Sequence, residues 1–115
     1  GALVTTTGTS AICGTTDLRD GRWHHVSSVL IGGEDANLAT HVRHYVDGKL
    51  DGVSYATPHP INTRAGNFQM GIRSATSAAS AVVEIDELII LDSAPSAAEA
   101  HALMADPSTN SIGGK

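Results

Sequence analysis

Cysteine and aromatic residues are scarce in this 115-residue chain, which contains one Cys, one Trp, one Phe and two Tyr. The single cysteine, Cys13, excludes an internal disulfide framework. Few aromatic rings also leave little material for the stacking platforms that sugar-binding sites commonly use. The hydrophobic core must therefore come mainly from Ala, Val, Leu and Ile.

Basic residues are also few. Lys and Arg total 7 against 12 Asp and Glu, so the formal net charge is -5. No run of Lys or Arg appears, which excludes the electrostatic footprint of a nucleic-acid-binding protein. Apolar runs are too short to span a bilayer. We expect neither a nucleic-acid partner nor a membrane span.

Glycine, threonine and serine are abundant, and short β-branched runs alternate with turn residues, which is typical of a β protein. Ala2–Thr6 and Thr9–Cys13 surround Gly8 and indicate a hairpin. Trp23–Ile31 is a long β-branched and apolar run that predicts a buried strand. The length suits one domain.

The clearest hairpin joins the strand His41–Val46 to the strand Lys49–Ala56 through Asp47-Gly48. An Asp-Gly pair readily adopts the positive φ angles of a tight turn. Alternation within the first strand places His44 on the apolar face, so we expect it to be a hydrogen-bonded core histidine.

Further strands are predicted at Phe68–Ile72 and at Val82–Leu91. A helix over Ala97–Ala105 follows, because Ser96 and Glu99 form a capping box. These elements define one domain over residues 1–107. The Ser/Gly-rich residues 108–115 are expected to be a flexible tail.

Three segments in order carry a resemblance to a known family. They are Asp-Gly-Arg-Trp-His-His-Val at 20–26, His-Tyr-Val-Asp-Gly-Lys-Leu at 44–50 and Ile-Asp-Glu-Leu-Ile-Ile-Leu-Asp at 85–92. The chain resembles the laminin-G-like domains of the concanavalin A-like lectin/glucanase superfamily, with the match covering about 20–104. The resemblance implies an all-β fold: an antiparallel, jelly-roll-like β-sandwich with a short C-terminal helix.

The same resemblance implies a non-catalytic recognition module that binds glycan or protein ligands within a larger secreted or cell-surface protein. Candidate ligand-binding side chains are Tyr45, Tyr55, Arg43 and Arg73.

Three residues have expected structural roles. Trp23 should fill the space between two sheets and Gly48 should form the turn, and the resemblance implies that His25 packs beside Trp23.

Calcium is a candidate cofactor, because related domains often bind it through loop carboxylates. Asp47 and Asp86 are its candidate ligands here. The competing interpretation of Asp86 is a carboxylate that accepts hydrogen bonds from backbone N–H groups. Zinc is disfavoured, because His24 and His25, like His41 and His44, fall on opposite faces of a strand.

A glycoside hydrolase is the enzymatic alternative. Some β-glucanases of this superfamily carry three carboxylates on one strand, and Glu84-Ile85-Asp86 is similar to the start of that pattern. Leu88 and Ile89 occupy the positions where the third carboxylate should fall, while Glu87 faces the other way. We therefore predict that the chain is not an enzyme.

Only residues 1–17 precede the Trp-His motif, where the resemblance implies several strands. We expect another chain, or a missing N-terminal segment, to complete the sandwich. A structural subunit that assembles through exposed strands is the alternative function.

Overall fold

The computed structural model describes residues 1–7, 10–32, 35–61 and 83–105. Within these ranges, six strands form two antiparallel sheets accompanied by two helices. In chain order they are β1 (Val4–Thr7), β2 (Ser10–Gly14), β3 (Val26–Leu30), α1 (Leu38–His41), β4 (Val42–Val46), β5 (Lys49–Leu50), β6 (Val53–Ala56) and α2 (Ala97–Ala105).

The first sheet has the order β1-β2-β6. The predicted N-terminal hairpin is confirmed: β1 pairs antiparallel with β2, from Val4 opposite Cys13 to Thr7 opposite Ser10. Gly8, expected in its turn, lies outside the described residues.

The second sheet has the order β3-β4-β5. The predicted Asp-Gly hairpin is confirmed, since β4 pairs antiparallel with β5 across the turn. Asp47 and Gly48 both have positive φ, 51° and 79°, as a tight two-residue turn requires.

The strand predicted over Lys49–Ala56 is divided between the two sheets. Its first part, β5, stays beside β4, while its second part, β6, pairs with β2 in the other sheet. The division falls at Asp51-Gly52, where the Asp51 carboxylate turns towards Thr15 and Thr16. These hydrogen bonds supply the donors that a buried carboxylate needs, at the point where the chain passes from one sheet to the other.

The two sheets pack face to face through a small core. Ile12, Leu38 and Val42 form one buried cluster, with Ile61 packed against it. Beside this cluster, the buried His44 ring reaches across to Thr5 with 2.9 Å between Nε2 and Oγ1. His44 is therefore the hydrogen-bonded core histidine that the alternation predicts.

Helix α2 covers the other face of the second sheet, where Val29, Tyr45 and Ala100 form a second buried cluster. The predicted helix and its cap are confirmed: Ser96 Oγ accepts a hydrogen bond from Glu99 N at 3.2 Å.

The predicted closing strand is absent from the described residues 83–91, and this part of the prediction is wrong. Glu87 has a positive φ of 55°, which interrupts an extended backbone. Large side chains stay exposed along the segment, including Ile85 at 53% and Ile90 at 71%. Val82, the predicted strand Phe68–Ile72 and the predicted tail lie outside the described residues.

The predicted core position of Trp23 is also wrong, because its side chain is 67% exposed. Pairing between β3 and β4 begins only at Val26. Trp23 therefore precedes the paired strand, and it follows the turn around Gly21 instead of pointing between the sheets.

Candidate functional site

A cleft of about 1010 Å³ lies along β3. One wall consists of β3 and the residues just before it, including Trp23. The other wall is the segment 83–95, which includes the residues of the predicted closing strand. The exposed indole is the largest ring in this lining, so the cleft combines concavity with an aromatic contact surface.

The segment 83–95 gives the cleft an apolar and acidic character. Its exposed apolar side chains are Val83, Ile85, Leu88 and Ile90. The carboxylates in the same wall are those of Glu84, Asp86, Glu87 and Asp92. Exposed apolar groups flanked by charges are typical of interaction surfaces.

The backbone of β3 has one open edge among the described strands, because only β4 pairs with it. His25 O accepts from Asp47 N at 2.8 Å, and Ile31 N donates to His41 O at 2.7 Å. Alternate residues of an antiparallel strand point their backbone groups to opposite sides. Val26, Ser28 and Leu30 therefore direct their N–H and C=O groups away from β4.

A histidine clasp, formed by His24 between Asp20 and Asp47, lies beside the cleft, whose lining includes His24. His24 Nδ1 lies 2.8 Å from Asp47 Oδ2, and its Nε2 lies 2.9 Å from Asp20 Oδ1. The other Asp47 oxygen accepts from His25 N at 3.0 Å. The clasp thus joins the turn before β3, which holds Asp20 and His24, to the turn after β4, which holds the distant Asp47.

Both nitrogens of the His24 ring face carboxylates, and only the imidazolium can donate from both. Its hydrogen bonds with Asp47 and then Asp20 raise the pKa of His24 above its ordinary value. In return, His24 and then Arg22 hold the pKa of the Asp20 carboxyl well below its usual range. The hydrogen bond from His24 also lowers the pKa of Asp47.

A second carboxylate site lies where the chain crosses between the sheets. Asp51 is buried and accepts from Thr16 Oγ1 at 2.7 Å, Thr15 Oγ1 at 3.0 Å and Thr15 N at 3.1 Å. Burial raises the pKa of Asp51, but the hydrogen bonds from Thr16 and Thr15 outweigh it, so the net pKa is lowered. This site holds strands together and is not aimed into the cleft.

The two calcium candidates have different hydrogen-bond partners in the structure. Asp47 is occupied by His24 and His25, while the exposed Asp86 accepts through Oδ1 from Glu87 N at 2.9 Å. In the described part of the chain, no group of three or more His, Cys, Asp or Glu side chains could hold a metal ion.

None of the candidate ligand-binding residues that the structure describes lines the cleft. Tyr45 is only 3% exposed and packs in the core under α2, so its prediction as a ligand contact is wrong. Tyr55 is 57% exposed but lies on β6, in the sheet that does not line the cleft. Arg43 is exposed on β4, and Arg73 lies outside the described residues.

Two features escaped the sequence-based predictions. Asp20 and His24 are four residues apart, but their partner Asp47 belongs to a distant turn, which the sequence does not reveal. The exposure of Trp23 depends on where pairing of β3 begins, which a continuous apolar run cannot show.

Comparison with known families gives a direct result. The laminin G family model described as the concanavalin A-like lectin/glucanases superfamily matches residues 2–101. The chain therefore belongs to this family, in agreement with its antiparallel two-sheet structure. The match also includes the hairpin of β1 and β2, which the three sequence motifs did not reach.

Neither the curated proteins nor the solved structures include a significant match. Within the described ranges, no helix is long and apolar enough to cross a membrane.

Proposed function

We propose that this domain is a non-catalytic recognition module of a larger secreted or cell-surface protein, and that it binds a glycan or protein ligand in the cleft along β3. Membership of a lectin-containing superfamily supports a ligand-binding role. The cleft, with its aromatic and apolar lining, is the candidate binding site for this ligand.

The exposure of Trp23 is the observation that carries this proposal. Exposing two thirds of an indole to water is costly, and this chain has only one Trp. Trp is also enriched among the residues that dominate binding energies. An exposed Trp in the wall of a cleft is therefore best explained as a ligand contact.

The carboxylates of the segment 83–95 support a non-catalytic role. Glu84, Asp86 and Glu87 are all exposed and are not mounted on a strand. A retaining glycosidase holds its two carboxyl groups about 5 Å apart on one rigid face. These three side chains have no such support in the structure.

A glycan array, probed in calcium and again in chelator, finds glycan ligands and any dependence on metal. Each ligand is then titrated against Trp23→Ala and against the matched control Tyr55→Ala, which removes the other aromatic ring that is exposed among the described residues. We expect Trp23→Ala to weaken binding about 30-fold or more, as loss of a hot-spot aromatic does, and Tyr55→Ala to leave it unchanged. The reverse result would place the site on β6 and refute the proposal.

An assembly role is the second candidate, and the open edge of β3 favours it. An unpaired strand edge is a template for pairing with another chain. In this case a second chain, or an N-terminal segment, would complete the sandwich. Light scattering at micromolar concentration tests it: a dimer or larger species supports assembly, whereas a stable, folded monomer excludes self-assembly.

A further inference from the structure

We infer that the cleft accepts an extended, cationic peptide segment, which adds as a fourth strand to the open edge of β3. This inference rests on the proposed function and names the ligand chemistry. Three features of the cleft carry it: the backbone of β3, the side chains beside that backbone and the charge of the opposite wall.

The backbone provides the pairing groups. Val26, Ser28 and Leu30 line the cleft and direct their N–H and C=O groups away from β4, because their neighbours bond with β4. A peptide in extended conformation offers a matching row of donors and acceptors. Strand addition of this kind draws its affinity from main-chain hydrogen bonds.

The side chains provide apolar contacts at alternate positions. Val26 is 42% exposed and Leu30 is 41% exposed, although they share the strand face that is turned towards the other sheet. Trp23 lies at the start of the same wall. A peptide whose every second residue is apolar would cover these side chains, as the period of two in a strand requires.

The charge of the opposite wall selects a cationic partner. Glu84, Asp86, Glu87 and Asp92 lie there, and no Lys or Arg occurs anywhere between positions 83 and 105. The nearby Arg22 is already bonded to Asp20 at 2.9 Å. A second copy of this chain carries a net charge of -5, so repulsion disfavours it as the occupant.

The experiment uses the fluorescence of Trp23, the only tryptophan of the full chain. The probe is a blocked octapeptide of alternating Lys and Val. One control replaces each Lys with Glu, and another carries N-methyl groups on alternate amides, which removes hydrogen-bond donors. We expect the Lys-Val peptide to change the Trp23 emission saturably, and its affinity to fall as salt is added.

The control peptides and the variants are expected to differ from the Lys-Val peptide and the wild type in defined ways. The Glu-Val peptide should not bind, and at least one N-methylation register should weaken binding by about tenfold, since several backbone hydrogen bonds are lost. Glu84→Gln combined with Glu87→Gln should weaken binding about tenfold at low salt. The matched variant Asp35→Asn removes an exposed carboxylate outside the cleft and should have no effect.

Equal binding of the two charged peptides, or full affinity of every N-methylated peptide, would overturn the inference. If a neutral β-glucan hexasaccharide changes the Trp23 emission and the Lys-Val peptide does not, this inference fails while the proposed function stands. If a ligand from the glycan array binds without involving Trp23, the proposed function fails as well.

Discussion

At the scale of single residues, two carboxylates hold distant parts of the chain together. Asp51 ties the crossing between the sheets to Thr15 and Thr16, and Asp47 ties the β4–β5 turn to His24. Their sequence neighbourhoods, Asp-Gly in both cases, predict turns and nothing more. The donors come from remote segments, so these roles become visible only in the structure.

Asp51→Asn should lower the free energy of unfolding by about 2 kcal/mol, because an amide cannot accept hydrogen bonds from all the donors that the carboxylate serves. Urea denaturation measures the change. Asp35→Asn, an exposed aspartate in a turn, is the control and should change stability by less than about 0.5 kcal/mol. Equal denaturation midpoints for the two variants would contradict the structural role of Asp51.

The stability that Asp51 adds to the folded chain should decrease in acid. Its pKa is lowered in the folded chain, so the stability it adds is present above the unfolded pKa of about 3.9 and is lost as the pH falls through the folded pKa. The difference in stability between the wild type and Asp51→Asn should therefore shrink in acid. A difference that grows as the pH falls below about 4 would have the wrong sign.

His24 should show the opposite dependence. Its pKa is raised by Asp47 and Asp20, so its stabilisation is complete below the unfolded pKa of about 6.5 and is lost as the pH rises through the folded pKa. His24→Gln should therefore destabilise the chain in mild acid and have a smaller effect at alkaline pH. Thermal unfolding across this range measures the effect.

His59→Gln is the matched control for His24, because the His59 ring contacts Thr7 and the carbonyl of Pro60 rather than a carboxylate. NMR titration of the His24 ring, repeated in Asp47→Asn, adds a direct readout. The pKa of His24 should fall in that variant. An unchanged titration would show that the clasp does not form in solution.

At the scale of elements, hairpin turns and helix caps can be predicted from local sequence, whereas the points at which strands are interrupted cannot. Asp47-Gly48 and Ser96 identify their turn and helix start, because the groups that decide them are neighbours in the chain. The division of Lys49–Ala56 into β5 and β6 depends on Thr15 and Thr16, which are far away in sequence. Local patterns therefore predict the elements better than they predict their ends.

Gly48→Ala should destabilise the β4–β5 hairpin more than Gly21→Ala destabilises the preceding turn. Both glycines have positive φ, at 79° and 76°, so both alanines carry backbone strain of about 1 kcal/mol. A Cβ at Gly48 would also collide with the ring of His101 on α2, whereas Gly21 has open space. Denaturation midpoints measure the difference, and equal losses in the two variants would show that the His101 ring does not obstruct a side chain at position 48.

At the scale of the whole molecule, the motifs and turn signals were sufficient to predict the fold class and the family. The exposure of Trp23 and of the side chains in the segment 83–91 could not be predicted from these local patterns. Both are apolar enough for a core, but burial needs a partner surface, and the described sheets end before covering them. The candidate site thus arises where the expected packing is incomplete.

The purified chain should not hydrolyse β-glucans, because Glu84, Asp86 and Glu87 lie exposed on a segment without strand structure. A reducing-sugar assay on a soluble β-glucan checks this, with Glu84→Gln as the paired variant. Steady hydrolysis by the wild type that disappears in Glu84→Gln would make the chain an enzyme and contradict the prediction.

Among the described strands only β4 pairs with β3, and amide hydrogen exchange along β3 shows whether its other edge is free. Ser27 and Val29 bond with β4, so their amides should exchange slowly. The amides of Val26, Ser28 and Leu30 should exchange rapidly in the unliganded chain and become protected when the Lys-Val peptide is added. Slow exchange at all five positions without ligand would show that β3 is already paired on both sides and has no edge for a peptide.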